Sequence, residues 1–152
     1  NCVDKTDFAH IDVGNSSMEQ IEWTSSFSVG DKLLDIQHKR IIGIINQMIT
    51  KNDFSVRSET VTDLLTKLTF YALDHFKEEE RILQQLNYPD FDRHKEEHKA
   101  YRLKIASLCE DTVDRKDSVP EELFAYVREW WATHILVTDM KYRYFLSVLD
   151  GE

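Results

Sequence analysis

Through four long stretches of the 152-residue chain, apolar side chains recur at three- and four-residue steps. That repeat lines them along one face of an α-helix. The first stretch covers about 31–51, with Leu34, His38, Ile41, Ile45 and Met48 in phase. The second covers about 56–86, with Val61, Leu64, Leu65, Leu68, Tyr71, Ala72, His75, Glu79, Ile82 and Leu86 on one stripe. It stops at Asn87-Tyr88-Pro89, because a proline disfavours helix at the residue before it. The third covers about 91–113 and aligns His94, His98, Tyr101, Ile105 and Leu108. The fourth opens at Val119-Pro120, with Ser118 the expected N-cap and Pro120 suited to a first turn. It runs through Phe124, Val127, Trp131, His134 and Ile135 to about residue 149. Only four glycines and two prolines interrupt the chain. Four amphipathic helices with short connections predict an all-α, up-down-up-down antiparallel four-helix bundle over residues 21–150. Residues 1–20 read as an irregular N-terminal arm or linker, followed by a lead-in anchored by Trp23, Phe27 and Val29.

Charge and composition narrow the partners. Nineteen Lys and Arg stand against 28 Asp and Glu, a net charge of −9. Phosphate binding needs clustered cations, so neither a nucleic acid nor an anionic membrane is the expected partner. No apolar run approaches the ~18 residues of a membrane-spanning helix, and no basic segment followed by an apolar one reads as a signal peptide. Two cysteines, Cys2 and Cys109, form no disulfide framework, which makes a reducing cytoplasm the expected location. Cys109 reads as a buried small residue.

The histidines carry the chemistry. Five of the six, His38, His75, His94, His98 and His134, fall on the inward stripes, while His10 reads as a surface residue. Three spacings bind them to carboxylates or to one another: His75-x3-Glu79, His94-x3-His98 and His134-x4-Asp139. Side chains four apart share a helix face at about 5–6 Å between Cβ atoms, a separation suited to shared metal ligation. At ~100° per residue, five steps carry Asp139 about 140° away from His134. Both reach one centre only through a wide turn or from the flank, so the fourth helix is expected to leave regular α geometry there.

A dry core does not hold five unpaired imidazoles and two carboxylates, since each unsatisfied polar group costs a few kcal/mol. Metal ligation removes that cost; a buried His–carboxylate hydrogen-bond network is the alternative. Cysteine ligation is absent, which argues against iron–sulfur and structural zinc sites. Oxygen-preferring calcium and magnesium do not suit five imidazoles. Iron, zinc, copper and nickel remain. Two carboxylates are too few for two separate sites, which favours a dinuclear centre bridged by Glu79 and Asp139.

These residues resemble the hemerythrins, particularly the bacterial hemerythrin domains. The resemblance covers about 21–149 and includes Trp23-x3-Phe27, the Asp35-x-x-His38-Lys39 helix start and the three spacings in family order. It implies two iron ions joined by an oxo or hydroxo group. His94, His98 and His134 would hold one, His38 and His75 the other, and Glu79 and Asp139 would bridge. The resemblance also implies an apolar oxygen pocket at Ile41, Phe76, Trp130, Ile135 and Val137, with Tyr142 one turn beyond Asp139. The acidic runs 77–80 and 95–97 read as solvated faces from which only Glu79 turns inward. Asp35 is either a helix-start residue or a support for the ligands.

Reversible binding of dioxygen, for carriage, storage or delivery, is the function so implied. Ferritin-like oxidation uses Glu-x-x-His pairs, and none occurs here, so the expectation is a binding protein and not an enzyme. Two alternatives stand beside it: a sensor reporting oxygen or redox state to a signalling domain fused or docked through the arm, and a di-iron enzyme acting on peroxide or nitric oxide.

Overall fold

The computed structural model describes residues 19–50 and 55–151, so the greater part of the expected arm lies outside the described residues. Among the described residues five α-helical segments build the bundle: α1 (Lys32–Thr50), α2 (Glu59–Gln85), α3 (Phe91–Val113), α4 (Val119–Thr133) and α5 (Met140–Leu149). A single π-helical turn, His134–Asp139, joins α4 to α5, so the two form one long, locally widened helix. No strand occurs among the described residues. α1 packs on α2, α2 on α3 and α3 on α4, and α4 closes back onto α1. The chain is an all-α four-helix bundle.

Local chemistry fixes the helix ends. Gly30 adopts φ +83°, a conformation that side-chain-bearing residues rarely take, and turns the lead-in toward α1. Asp31 Oδ1 then accepts from the Leu34 N–H at 2.9 Å, a capping bond that starts the helix. α2 begins three residues later than the periodicity suggests because Ser58 caps it, accepting from the Val61 N–H. It ends in a left-handed Asn87, with the Tyr88 N–H donating to the Leu83 carbonyl. This closure stops a helix just ahead of Pro89. Ser118 differs from expectation: its backbone is already helical and its side chain makes no capping bond, although Pro120 does sit in the first turn.

The packing shows the alternation of chain direction and places the site. A large apolar cluster and a smaller one, the latter built on Val29, Leu34, Leu83, Tyr88 and Tyr142, are separate. On α1 the chain passes from the small cluster (Leu34) through His38 to the large one (Ile41, Ile45). On α2 the order reverses, from Leu68 through His75 and Glu79 to Leu83. It reverses again on α3, and once more between Trp131 and Tyr142. Four helices alternating in direction therefore bring their polar residues to one level, between two apolar plugs.

The lead-in is strapped across the bundle. The Asn46 side chain binds the Ile21 backbone twice, accepting from its N–H at 2.8 Å and donating to its carbonyl at 2.9 Å. Trp23 stacks on Phe27, and the Lys39 ammonium lies over the Trp23 ring. Further along, Asp35 accepts from the Ser28 hydroxyl at 2.6 Å and the Val29 N–H at 2.8 Å. Asp35 is thus a helix-start residue that ties down the lead-in. Replacing it with alanine is expected to cost about 1–3 kcal/mol for the lost charged hydrogen bonds. Bound-metal stoichiometry should not change. Chemical denaturation together with metal analysis checks both outcomes.

Candidate metal centre

Each stripe delivers its polar residues inward. His38, His75, Glu79, His94, His98, His134 and Asp139 are all buried, with at most 2% of any one exposed. The seven expected ligand residues therefore meet in one place. The π turn makes this possible on the last helix. Its i→i+5 pattern stacks residues five apart, so His134 and Asp139 both face the interior. The wide turn that the five-residue spacing requires is present.

The imidazoles sort into two groups by their Nε2 atoms. His38 and His75 approach to 2.9 Å, and His98 and His134 to 3.1 Å. Glu79 divides its two oxygens between these groups. Its Oε1 lies 2.5 Å from His94 Nε2 and 3.1 Å from His98 Nε2, whereas its Oε2 lies 3.3 Å from His75 Nε2. Asp139 does the same: Oδ1 is 3.1 Å from His134 and 3.4 Å from His94, and Oδ2 is 3.3 Å from His38. One donor atom from each of Glu79, His94, His98 and His134 falls within 4.8 Å of the others, as it does for His38, His75 and Glu79.

Proton placement explains why these contacts need a cation. His75 Nδ1–H donates to Gln37 Oε1 at 2.8 Å, His98 Nδ1–H to Glu80 Oε1 at 2.8 Å, and His134 Nδ1–H to Glu97 Oε2 at 3.0 Å. A neutral imidazole with its proton on Nδ1 presents a bare lone pair at Nε2. In the neutral state the His98 and His134 lone pairs therefore face one another, and those of His75, His98 and His134 face carboxylate oxygens. Both Asp139 oxygens are buried without a hydrogen bond among the described residues. Metal ligation would satisfy these atoms, and the donor set fits it.

Protons are the competing occupants. Burial lowers the His134 pKa, but Asp139, Glu79 and Glu97 outweigh it and hold the imidazole well above its ordinary value. Burial also pushes His75 below the histidine range, against the pull of Glu79. Desolvation opposes ionisation of Glu79, yet the surrounding imidazoles of His75, His134 and His38 keep it well below the usual carboxylate range. Glu97 is held down to about 2, chiefly by the His134 hydrogen bond and further by the Thr138 hydroxyl, with burial working the other way.

Matches to known proteins agree with this geometry. Residues 29–145 fit the family model described as the hemerythrin HHE cation binding domain. The chain belongs to the hemerythrin family. It is 31% identical over 124 residues to the bacteriohemerythrin of Clostridium acetobutylicum, covering 79% of this chain and 96% of that one. Identity to the Methylococcus capsulatus bacteriohemerythrin is 31% over 135 residues, covering 86% and 99%. A myohemerythrin of Theromyzon tessulatum is 32% identical over 125 residues, covering 82% and 92%.

The walls of the hemerythrin centre are partly those expected. Ile41, Phe76 and Ile135 are buried, and Trp130 is half-buried. Phe76 stacks on His98 with ring centres 3.9 Å apart, and Trp130 stacks on His134 at 4.3 Å. Val137 is a correction. It is 39% exposed, because the π turn that aims His134, Ile135, Thr138 and Asp139 inward carries Val137 out to solvent. Glu80 and Glu97 are a second correction. They are not free surface charges but hold His98 and His134, as Gln37 holds His75. Tyr142, one turn beyond Asp139, reaches the cluster itself: its buried hydroxyl donates to Glu79 Oε2 at 2.8 Å. Burial, with the charges of Asp139 and Glu79, raises the pKa of that phenol well above its usual value, so it remains a donor. Cys109, expected to be buried, is partly buried against the large apolar cluster and forms no disulfide.

Metal should therefore hold the bundle together. At free metal one hundred times its Kd, occupancy adds about 2.7 kcal/mol to stability. Chelation should lower the melting temperature accordingly. Because protons compete for the same Nε2 atoms, the difference should shrink as the pH falls. Identical melting curves with and without chelator would contradict this.

Proposed function

We propose that this hemerythrin domain binds dioxygen reversibly at a non-haem di-iron centre, joined by an oxo or hydroxo group, and serves to carry, store or deliver oxygen. The observation that supports it most is the way Glu79 and Asp139 each give one oxygen to the three-histidine group and the other to the two-histidine group. His94, His98 and His134 would hold one iron and His38 and His75 the other. The His38–His75 position would have one protein ligand fewer, leaving room there for dioxygen. When bound, a ferrous pair would supply the two electrons that dioxygen uptake needs.

The protein's own part is to position and to exclude. Imidazoles outnumber carboxylates five to two in the cluster, and a donor set richer in neutral imidazole than in anionic carboxylate favours binding over oxidation, so the reading is a binder and not a catalyst. The buried Phe76, Ile41 and Ile135 would keep water from bound metal. Tyr142 fixes the orientation of the bridging Glu79. No helix among the described residues is long and apolar enough to cross a membrane. A reducing cytoplasm is part of this reading, in keeping with the free Cys109.

Sensing is the second reading, and the lead-in favours it. Its turn, Ser25–Phe27, packs against the π turn that carries His134 and Asp139. A change at the ligands would be felt at the segment leading into the arm, and through it by a fused or docked signalling domain. Hydrogen exchange of residues 21–29 separates the readings: sensing requires it to differ between oxygenated and deoxygenated protein, and carriage does not.

The test of reversible binding is the lifetime of the oxygenated absorption band. Ile135→Thr brings a hydroxyl into the dry wall, and conversion to the ferric form should quicken roughly tenfold while iron content holds, as expected if the lost dryness costs on the order of 1.4 kcal/mol. Ile135→Leu, which preserves volume and polarity, should change it little. No faster decay in the threonine variant would show that Ile135 is merely core.

A further inference from the structure

The hydrogen bonds that orient the imidazoles are unequal in charge. Each acceptor lies beside a ligand on one helix and serves a histidine on the next. Gln37 on α1 serves His75 on α2, Glu80 on α2 serves His98 on α3, and Glu97 on α3 serves His134 at the end of α4. The ring does not close. Toward α1 the corresponding neighbours of Asp139 are Thr138 and Met140, and the Thr138 hydroxyl donates to Glu97 instead. His38 Nδ1 is left buried with no hydrogen-bond partner among the described residues. Two carboxylates thus stand behind the three-histidine group. Behind the two-histidine group stand one neutral amide and one unpartnered nitrogen.

A carboxylate drawing on Nδ1–H makes the opposite nitrogen a stronger donor and fixes the plane of the ring; a neutral amide does the second but little of the first. We propose that Glu80 and Glu97 are positioning residues that rank the two metal positions, so that the three-histidine position fills first and empties last while the His38–His75 position is the exchangeable one. The count of imidazoles points the same way, and the two carboxylates add to the difference. The Arg102 guanidinium at 3.8 Å from Glu80 does not cancel its charge, being partly exposed to solvent. This inference rests on the dinuclear reading above.

Zinc(II) titration of the metal-free full chain, followed by calorimetry and by chelator competition, tests it without any oxygen chemistry. Two binding steps of unequal affinity are expected, the tighter lost in His98→Ala and the weaker lost in His75→Ala. Glu80→Gln and Glu97→Gln retain an acceptor and remove the charge. Each should weaken the tighter step roughly 10–100-fold and leave the weaker step in place. Gln37→Glu supplies the missing charge on the other side and should tighten the weaker step, an outcome that a purely structural role would not produce. Two equal steps, or glutamine variants that weaken both steps alike, overturn the ranking while leaving the dinuclear centre standing. A single equivalent of zinc bound in every titration overturns the dinuclear reading, and the ranking with it.

Discussion

Everything in this bundle is arranged around one electrostatic problem: imidazole lone pairs and carboxylate oxygens facing one another in a space with almost no water. In such surroundings a like-to-like contact between lone pairs is repulsive, and an unpaired carboxylate is costly. A cation converts each repulsion into a bond. The two apolar clusters above and below the site keep the dielectric low on both sides. They hold the polar band in place and raise the affinity of that band for metal. Folding and ligation are therefore coupled, since neither the donor set nor the plugs are at ease without the other.

The π turn shows how local geometry serves that coupling. A regular helix would set Asp139 off the face that carries His134. One wide turn brings both inward and carries Val137 outward. The widened segment is gripped from both sides, by Ile135 in the large cluster and Tyr142 in the small one. Such turns collect at functional sites because they aim a side chain that regular geometry cannot.

Much of this is legible in the sequence, for reasons that also mark the limit. The apolar repeat reveals the four helices because each must bury a stripe, and the bounds of α3 come out as observed. The ligand histidines stand out because a polar residue on an apolar stripe demands explanation. The five-residue step from His134 to Asp139 even signals the wide turn. Gln37, Glu80 and Glu97 do not stand out, since each acts across a helix–helix boundary and looks like ordinary solvated polarity on its own helix. Adjacency to a ligand was the available clue. Val137 misleads because side-chain type says nothing about which way a π turn rotates it. Tyr142 was visible as a residue, but the reach of its hydroxyl to Glu79 depends on how α2 and α5 approach.

Crystals of the protein loaded with ferrous iron, examined by anomalous scattering at the iron edge, test the central claim most directly. The account predicts two iron peaks per chain. One should lie within bonding distance of Nε2 of His94, His98 and His134, the other of Nε2 of His38 and His75, with Glu79 and Asp139 oxygens between them. A single peak, or peaks away from these nitrogens, would contradict it.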